Sequence, residues 1–173
     1  ALGETFIQDQ VYLAFGPCGN NESEEVVSDG YQICRIASLR RSVNPLLDIR
    51  ALFSLCLLIR RINPDILNTH TFKAGILARL ASKLVGKNSM QVVHTIHGHL
   101  KYGYFSPSIS RLITFLERVL ERITDGFIVA GNKLLLELGE ANLLKSSVYE
   151  VILPGFDSDQ IGRSKRSKAA VQI

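Results

Sequence analysis

The chain is short of cysteine, of long apolar runs and of any charge excess in its body, and each shortage removes a class of protein. Cys18, Cys34 and Cys56 are odd in number, far apart and without metal-ligand spacing. They imply no disulfide framework and read as reduced thiols of a cytosolic protein. The most apolar helical segment, Leu52 to Ile59, runs into Arg60 and Arg61, far short of a bilayer crossing. The net charge is +4, but Arg163, Lys165, Arg166 and Lys168 lie in the tail and leave the other Lys and Arg in balance with the 16 Asp and Glu. A neutral body excludes a general nucleic-acid binder, whose basic face must neutralise phosphates. Neither G-x-G-x-x-G nor a P-loop occurs, which excludes the nucleotide-binding folds marked by those turns. No internal repeat is visible. The first residues do not read as a secretory signal, and Ala1 in place of an initiator Met leads us to expect a start inside a longer coding sequence.

What is present is a globular composition: 173 residues, 46% hydrophobic and 21% charged, enough for one domain and its core. Short β-rich runs alternate with amphipathic stretches, which predicts an α/β class with a parallel sheet and helical crossovers. Val11 to Phe15 and Ile33 to Ala37 read as strands. Ile49, Leu52, Phe53, Cys56 and Ile59 follow at helical spacing until Asn63-Pro64 stops the helix. A buried strand starts at Asp65. Thr71 is placed to cap a helix from about Phe72 to Val85 with Gly86 as its stop, and Gln91 to Ile96 is the next strand. Ser106-Pro107 opens a helix with Ile109, Leu112, Ile113, Leu116, Leu120 and Ile123 on one face, packed on the sheet. Gly126 to Ala130, Asn132 to Leu138 and Val148 to Ile152 read as strand, short helix and strand. After Asp157 the composition turns to Ser, Lys and Arg, so residues 1–157 are predicted as the domain and 158–173 as a linker or tail.

His70, His94, His97 and His99 are all the histidines of the chain, and they gather at the ends of two of these strands. The carboxyl ends of strands in an open parallel sheet share one edge, so His70 and His97 are predicted to look into the crevice where such folds bind ligands. Thr71 and Lys73 sit where a strand hands over to a helix N-terminus, which favours an anion or a hydroxyl-rich ligand. The plainer account has Thr71 capping the helix and Lys73 solvated. His94, earlier in its strand, reads as a buried structural residue. No metal site is predicted, because no Cys or carboxylate joins the histidines at a usual spacing and His94 and His97 face opposite sides. Tyr102, Tyr104 and Phe105 form an aromatic loop that either stacks on a ligand, meets lipid, or covers the core.

Four stretches then carry a resemblance in order: Leu39-Arg40-Arg41 with Asn44-Pro45 and Asp48-Ile49-Arg50; Pro64-Asp65 through Lys73-Ala74-Gly75; His94-Thr95-Ile96-His97-Gly98; and Phe105-Ser106-Pro107 through Leu116-Glu117-Arg118 to Asp125. Together they resemble the N-terminal, acceptor-side domain of a family 4 glycosyltransferase of the two-domain GT-B type, in the group that builds capsular and other cell-surface polysaccharides. Gly155-Phe156-Asp157 is a looser fifth match, where that family crosses to its donor domain. Asn68 stands where the family usually has His, Phe72 replaces a common Ser, and Gly131 takes the place of a frequent Ser.

The resemblance implies a doubly wound, mostly parallel sheet with helices on both faces, the Rossmann-like half of a GT-B enzyme. The family's opening strand and glycine-rich turn have no counterpart here, nor does the second domain that binds the nucleotide sugar. The chain is therefore expected to be a fragment with its first strand missing, inactive alone. The implied activity is transfer of a sugar from a nucleotide-sugar donor to a glycan, lipid-linked, with retained configuration. His97 would face the sugar undergoing transfer and assist electrostatically, not as a nucleophile. His70, Thr71, Lys73, Gly98, His99 and Tyr102 are the implied substrate-binding residues. No metal cofactor is expected, and the nucleotide sugar would be a co-substrate held through the missing domain. Such enzymes work as peripheral proteins at the cytoplasmic face of the membrane, where Arg40, Arg41, Arg60, Arg61, Lys101 and Arg111 would attract anionic headgroups. An alternative is a free-standing, non-catalytic half that anchors at the membrane and recruits a separate donor-binding subunit. A sugar-nucleotide epimerase of the same plan would need acidic and histidine motifs that are not seen.

Overall fold

The computed structural model describes residues 10–18, 30–86, 89–98, 107–144 and 147–153. Its elements run β1 (Val11–Phe15), β2 (Tyr31–Arg35), α1 (Pro45–Ile62), β3 (Ile66–His70), α2 (Phe72–Val85), β4 (Gln91–Ile96), α3 (Pro107–Glu121), β5 (Gly126–Val129), α4 (Asn132–Glu140) and β6 (Tyr149–Val151). Every strand pairing is parallel, and helices lie on both sides of the strands. The α/β class read from the sequence is the class observed.

The strands form two sheets, β1-β2 and β3-β4-β5-β6. Among the described residues no strand joins them. β3 is consequently not the fully buried strand expected: Thr69 is its one buried residue, and Ile66 is 62% exposed. The two sheets are held by a common core. Ile36, just past β2, packs in one cluster with Leu55, Cys56 and Ile59 of α1, Leu77 and Ala81 of α2, and Met90 and Val92 around β4. A second cluster joins Ile96, Phe127 and Val129 to Leu134 and Leu138 of α4.

Local chemistry explains where the site-bearing helices begin and end. Asn44 caps α1, its Oδ1 accepting from Leu46 N and Leu47 N at 3.1 and 3.2 Å, while Asn44 N donates to Asp48 Oδ2 at 3.3 Å. Pro45 then occupies the first helical position, where its missing N–H is no loss. Asn63, left-handed at φ 53, closes the helix by donating its N–H to the Ile59 carbonyl, and Pro64 forbids continuation. Gly86 at φ 70 stops α2 as its position in the sequence suggested.

The apolar spacing of α1 mixes two faces. Ala51, Leu55, Cys56 and Ile59 point inward, whereas Ile49 and Phe53 are 53% and 65% exposed. In α3 the inward residues are Ser110, Ile113, Glu117 and Leu120, and Leu112 faces out. Other boundaries move slightly: β2 starts and stops two residues before the expected strand, and α4 continues to Glu140. His99, Lys101, Tyr102, Tyr104, Phe105 and Ser106, and residues 154–173, lie outside the described residues.

Candidate functional site

β3 and β4 pair so that His70 stands level with Thr95, and both strands finish within two residues of that point. His97 follows β4 directly. The shared edge brings the two imidazoles together: His70 Nδ1 lies 2.9 Å from His97 Nε2, with the rings stacked at 5.2 Å between centroids and 25° between planes. Both residues are exposed at the rim. The pKa of His70 is lowered, first by partial burial and then by the nearby His97.

One residue back along β3, the side chain turns inward. Thr69 Oγ1 lies 2.8 Å from His94 Nδ1 and donates to the Val93 carbonyl at 3.2 Å. Because the hydroxyl hydrogen is used on Val93, Nδ1 of a neutral His94 is the donor in the shorter contact. His94 is buried, and its pKa falls to about 3, chiefly from burial and then from the Arg79 cation, with a hydrogen bond to the Thr69 backbone opposing. It is an uncharged structural residue, as its place in the strand suggested.

His94 is wedged against the start of α2. A Cβ added at Gly75 would stand 2.6 Å from His94 Cε1, so only glycine lets the helix lie this close to the ring. Arg79, fully buried, donates from Nε to the Gly75 carbonyl at 3.1 Å. Its Nη1 and Nη2 form a two-pronged pair with Glu117 Oε2 and Oε1 of α3, each at 2.8 Å. Thr69, His94, Gly75, Arg79 and Glu117 thus form a continuous brace behind the turn from β3 into α2.

Three candidate residues take positions that the sequence could not specify. Thr71 precedes α2 but makes no side-chain capping bond, and its backbone stands at φ 60, ψ 163. That conformation is strained for a β-branched residue. Lys73 is neither a free cation nor merely solvated: its Nζ pairs with Asp48 and donates to the Ser42 carbonyl, tying the first turn of α2 to that of α1. A Cβ at Gly98 would meet nothing within 4 Å, so the backbone beside His97 is open. Asn68 Oδ1 accepts from Thr95 Oγ1 at 3.0 Å, locking β3 to β4 where the family pattern has a histidine.

The brace is what sequence reasoning missed. Its visible traces were Gly75 in the first turn of a helix and Arg79 on a face otherwise made of Leu77, Ala78 and Ala81. Among the described residues no group of three or more His, Cys, Asp or Glu could hold a metal ion. No described helix is long and apolar enough to cross a membrane.

Comparison with known proteins places this geometry in a lineage. The chain is 29% identical over 109 residues to UDP-Gal:alpha-D-GlcNAc-diphosphoundecaprenol alpha-1,3-galactosyltransferase of Escherichia coli; the match covers 63% of this chain and 28% of that protein. In structure it is similar to a UDP-N-acetylglucosamine 2-epimerase, with a TM-score of 0.49 and 16% identity over 72% of this chain and 39% of the other. Residues 8–160 match the model of Glycosyltransferase Family 4. That match spans both histidine-tipped strands and the brace behind them, and the chain belongs to Glycosyltransferase Family 4.

Proposed function

We propose that the chain is the N-terminal, acceptor-side domain of a retaining glycosyltransferase that moves a sugar from a nucleotide-sugar donor to a lipid-linked glycan. The observation that carries this reading is the meeting of His70 and His97, 2.9 Å apart, at the shared carboxyl edge of β3 and β4. This edge is where open parallel sheets take ligands, and the family match supplies the reaction class. His97 bonds a sugar hydroxyl and steadies charge that develops as the glycosidic bond to phosphate breaks. The acceptor hydroxyl attacks on the face the phosphate leaves, and its proton passes to the donor phosphate, so configuration is retained. The open backbone at Gly98 leaves room for the sugar. His99 and Tyr102, outside the described residues, are further sugar-binding candidates.

The classes of donor and acceptor follow the Escherichia coli relative, whose name specifies a UDP-sugar and a diphosphoundecaprenol-linked acceptor. The chain spans only 28% of that relative, and we infer that the donor is held mainly by further polypeptide and that these 173 residues alone are inactive. The reaction needs no metal ion, so chelation should leave turnover unchanged.

The membrane part of the reading rests on α1. Leu46, Ile49, Phe53 and Leu57 are exposed along one face, shared with exposed Arg50, Arg60 and Arg61. An apolar stripe edged by arginines suits an anionic lipid surface, and Asp48 and Lys73 join the start of that helix to the site. Co-sedimentation with anionic vesicles, absent with zwitterionic ones, is the expected result.

The decisive experiment replaces His97 by Ala in the full-length enzyme. Turnover should fall by about a hundred-fold with little change in thermal stability. Turnover within a few-fold of the parent would remove His97 from the reaction.

A further inference from the structure

The bond between His70 Nδ1 and His97 Nε2, 2.9 Å long, requires one proton between two nitrogens. Neither ring can then be described alone. When both are neutral, the ring that donates the bridging N–H keeps a lone pair at its outer nitrogen, and the ring that accepts keeps an N–H at its own. The outer nitrogens, His97 Nδ1 and His70 Nε2, are therefore always one donor and one acceptor. An added proton turns both into donors and gives the pair a single positive charge. A further one can enter only by breaking the bridge and setting two cations side by side.

Among the described residues, no other side chain is seen bonded to either ring. Two nearby charged pairs are engaged with each other: Lys73 of α2 with Asp48 of α1, and Arg79 of α2 with Glu117 of α3. His94, on the same strand that delivers His97, bonds Thr69. Thr71, next to His70, is held in an extended, positive-φ conformation without a capping bond, which fixes the exit of the strand that carries the ring.

We propose that His70 is a positioning residue: it occupies His97 Nε2, ties the tautomer of His97 to its own, and makes the two rings act on a bound sugar as one unit with one donor and one acceptor nitrogen. This rests on His97 facing the sugar and adds the role of its partner. Hydroxyl groups, which both donate and accept, match the neutral pair. Phosphate oxygens, which only accept, match the singly protonated pair.

The test follows the ring nitrogens by NMR of the chain labelled with 15N-histidine, and turnover in the full-length enzyme. In the parent, the ring-nitrogen signals should show His70 Nδ1 and His97 Nε2 sharing one bridging proton. His70→Ala should remove that bridge and leave His97 Nε2 open to water. His70→Asn, whose amide reaches the place of Nδ1, should restore a hydrogen bond to His97 Nε2. His70→Ala should lower kcat by about ten- to a hundred-fold with KM within a few-fold of the parent, and His70→Asn should recover most of it. Unchanged His97 ring-nitrogen signals in His70→Ala would overturn the proposal, as would equal kcat loss in both variants. If His97→Ala keeps parental turnover while the bridging proton is seen in the parent, the sugar-facing role fails but the shared proton does not.

Discussion

Thr69 and His70 are neighbours on β3, yet Thr69 bonds His94 inside the molecule and His70 bonds His97 at its rim. Both contacts involve an imidazole delivered by β4 or its exit. The inner one is buried to the point that His94 stays neutral down to about pH 3, so it behaves as a shaped, uncharged wedge. The outer pair keeps contact with water. Strand alternation, which sends successive side chains to opposite faces, has divided one residue type between the interior and the rim. The rim can be precise because the layer one residue behind it is rigid.

If that division is correct, the inner layer should break hardest. Glu117→Ala leaves the buried Arg79 guanidinium without its counter-charge and should cost about 3–5 kcal/mol in urea unfolding. Replacing both partners, Arg79→Met with Glu117→Leu, should return most of that loss. Next comes Gly75→Ala, whose new Cβ would press on His94 Cε1 at 2.6 Å; a loss of about 1–3 kcal/mol is expected. The same change in a His94→Ala background should cost much less, because the obstructing ring is gone.

Acid should sharpen the comparison. The unfolded chain protonates His94 near its ordinary 6.5, while the folded chain refuses the proton until about 3. The unfolded state therefore binds more protons in that interval, and stability falls as pH drops below 6.5, by about 1.4 kcal/mol per pH unit. Above 6.5 His94 contributes no pH dependence. His70, whose pKa is also lowered, adds a smaller slope of the same sign. Unfolding midpoints measured from pH 7 to 4 should show His94→Gln with a flatter profile than the parent. The smallest stability change belongs to the rim, where His97→Ala should stay within about 0.5 kcal/mol of the parent. A loss as large as that of Gly75→Ala would erase the distinction between rim and support.

Much of this was legible in the chain itself. Val11 to Phe15, Gln91 to Ile96 and the stop at Gly86 lie where the β-rich runs and the glycine put them. The placement of His70 and His97 on one edge followed from the rule that parallel strands end together, whereas their direct contact did not. Pairings between distant residues were not legible, because nothing local marks Asp48 as the partner of Lys73 or Glu117 as that of Arg79. Apolar spacing also misled where a helix is apolar on two faces, since periodicity gives no sign of which face is covered; Ile49 and Phe53 of α1 are the example. Thr71 has a common capping side chain, but its backbone geometry is set by the strand and helix it joins.

A threonine at φ 60 works against the relaxed shape of its own backbone. Glycine would sit there at ease, and the tip of β3 would gain freedom to swing. By keeping the stiffer residue the chain carries a small standing tension at the hinge beside His70, and gives up some robustness so that an imidazole on an open edge stays aimed.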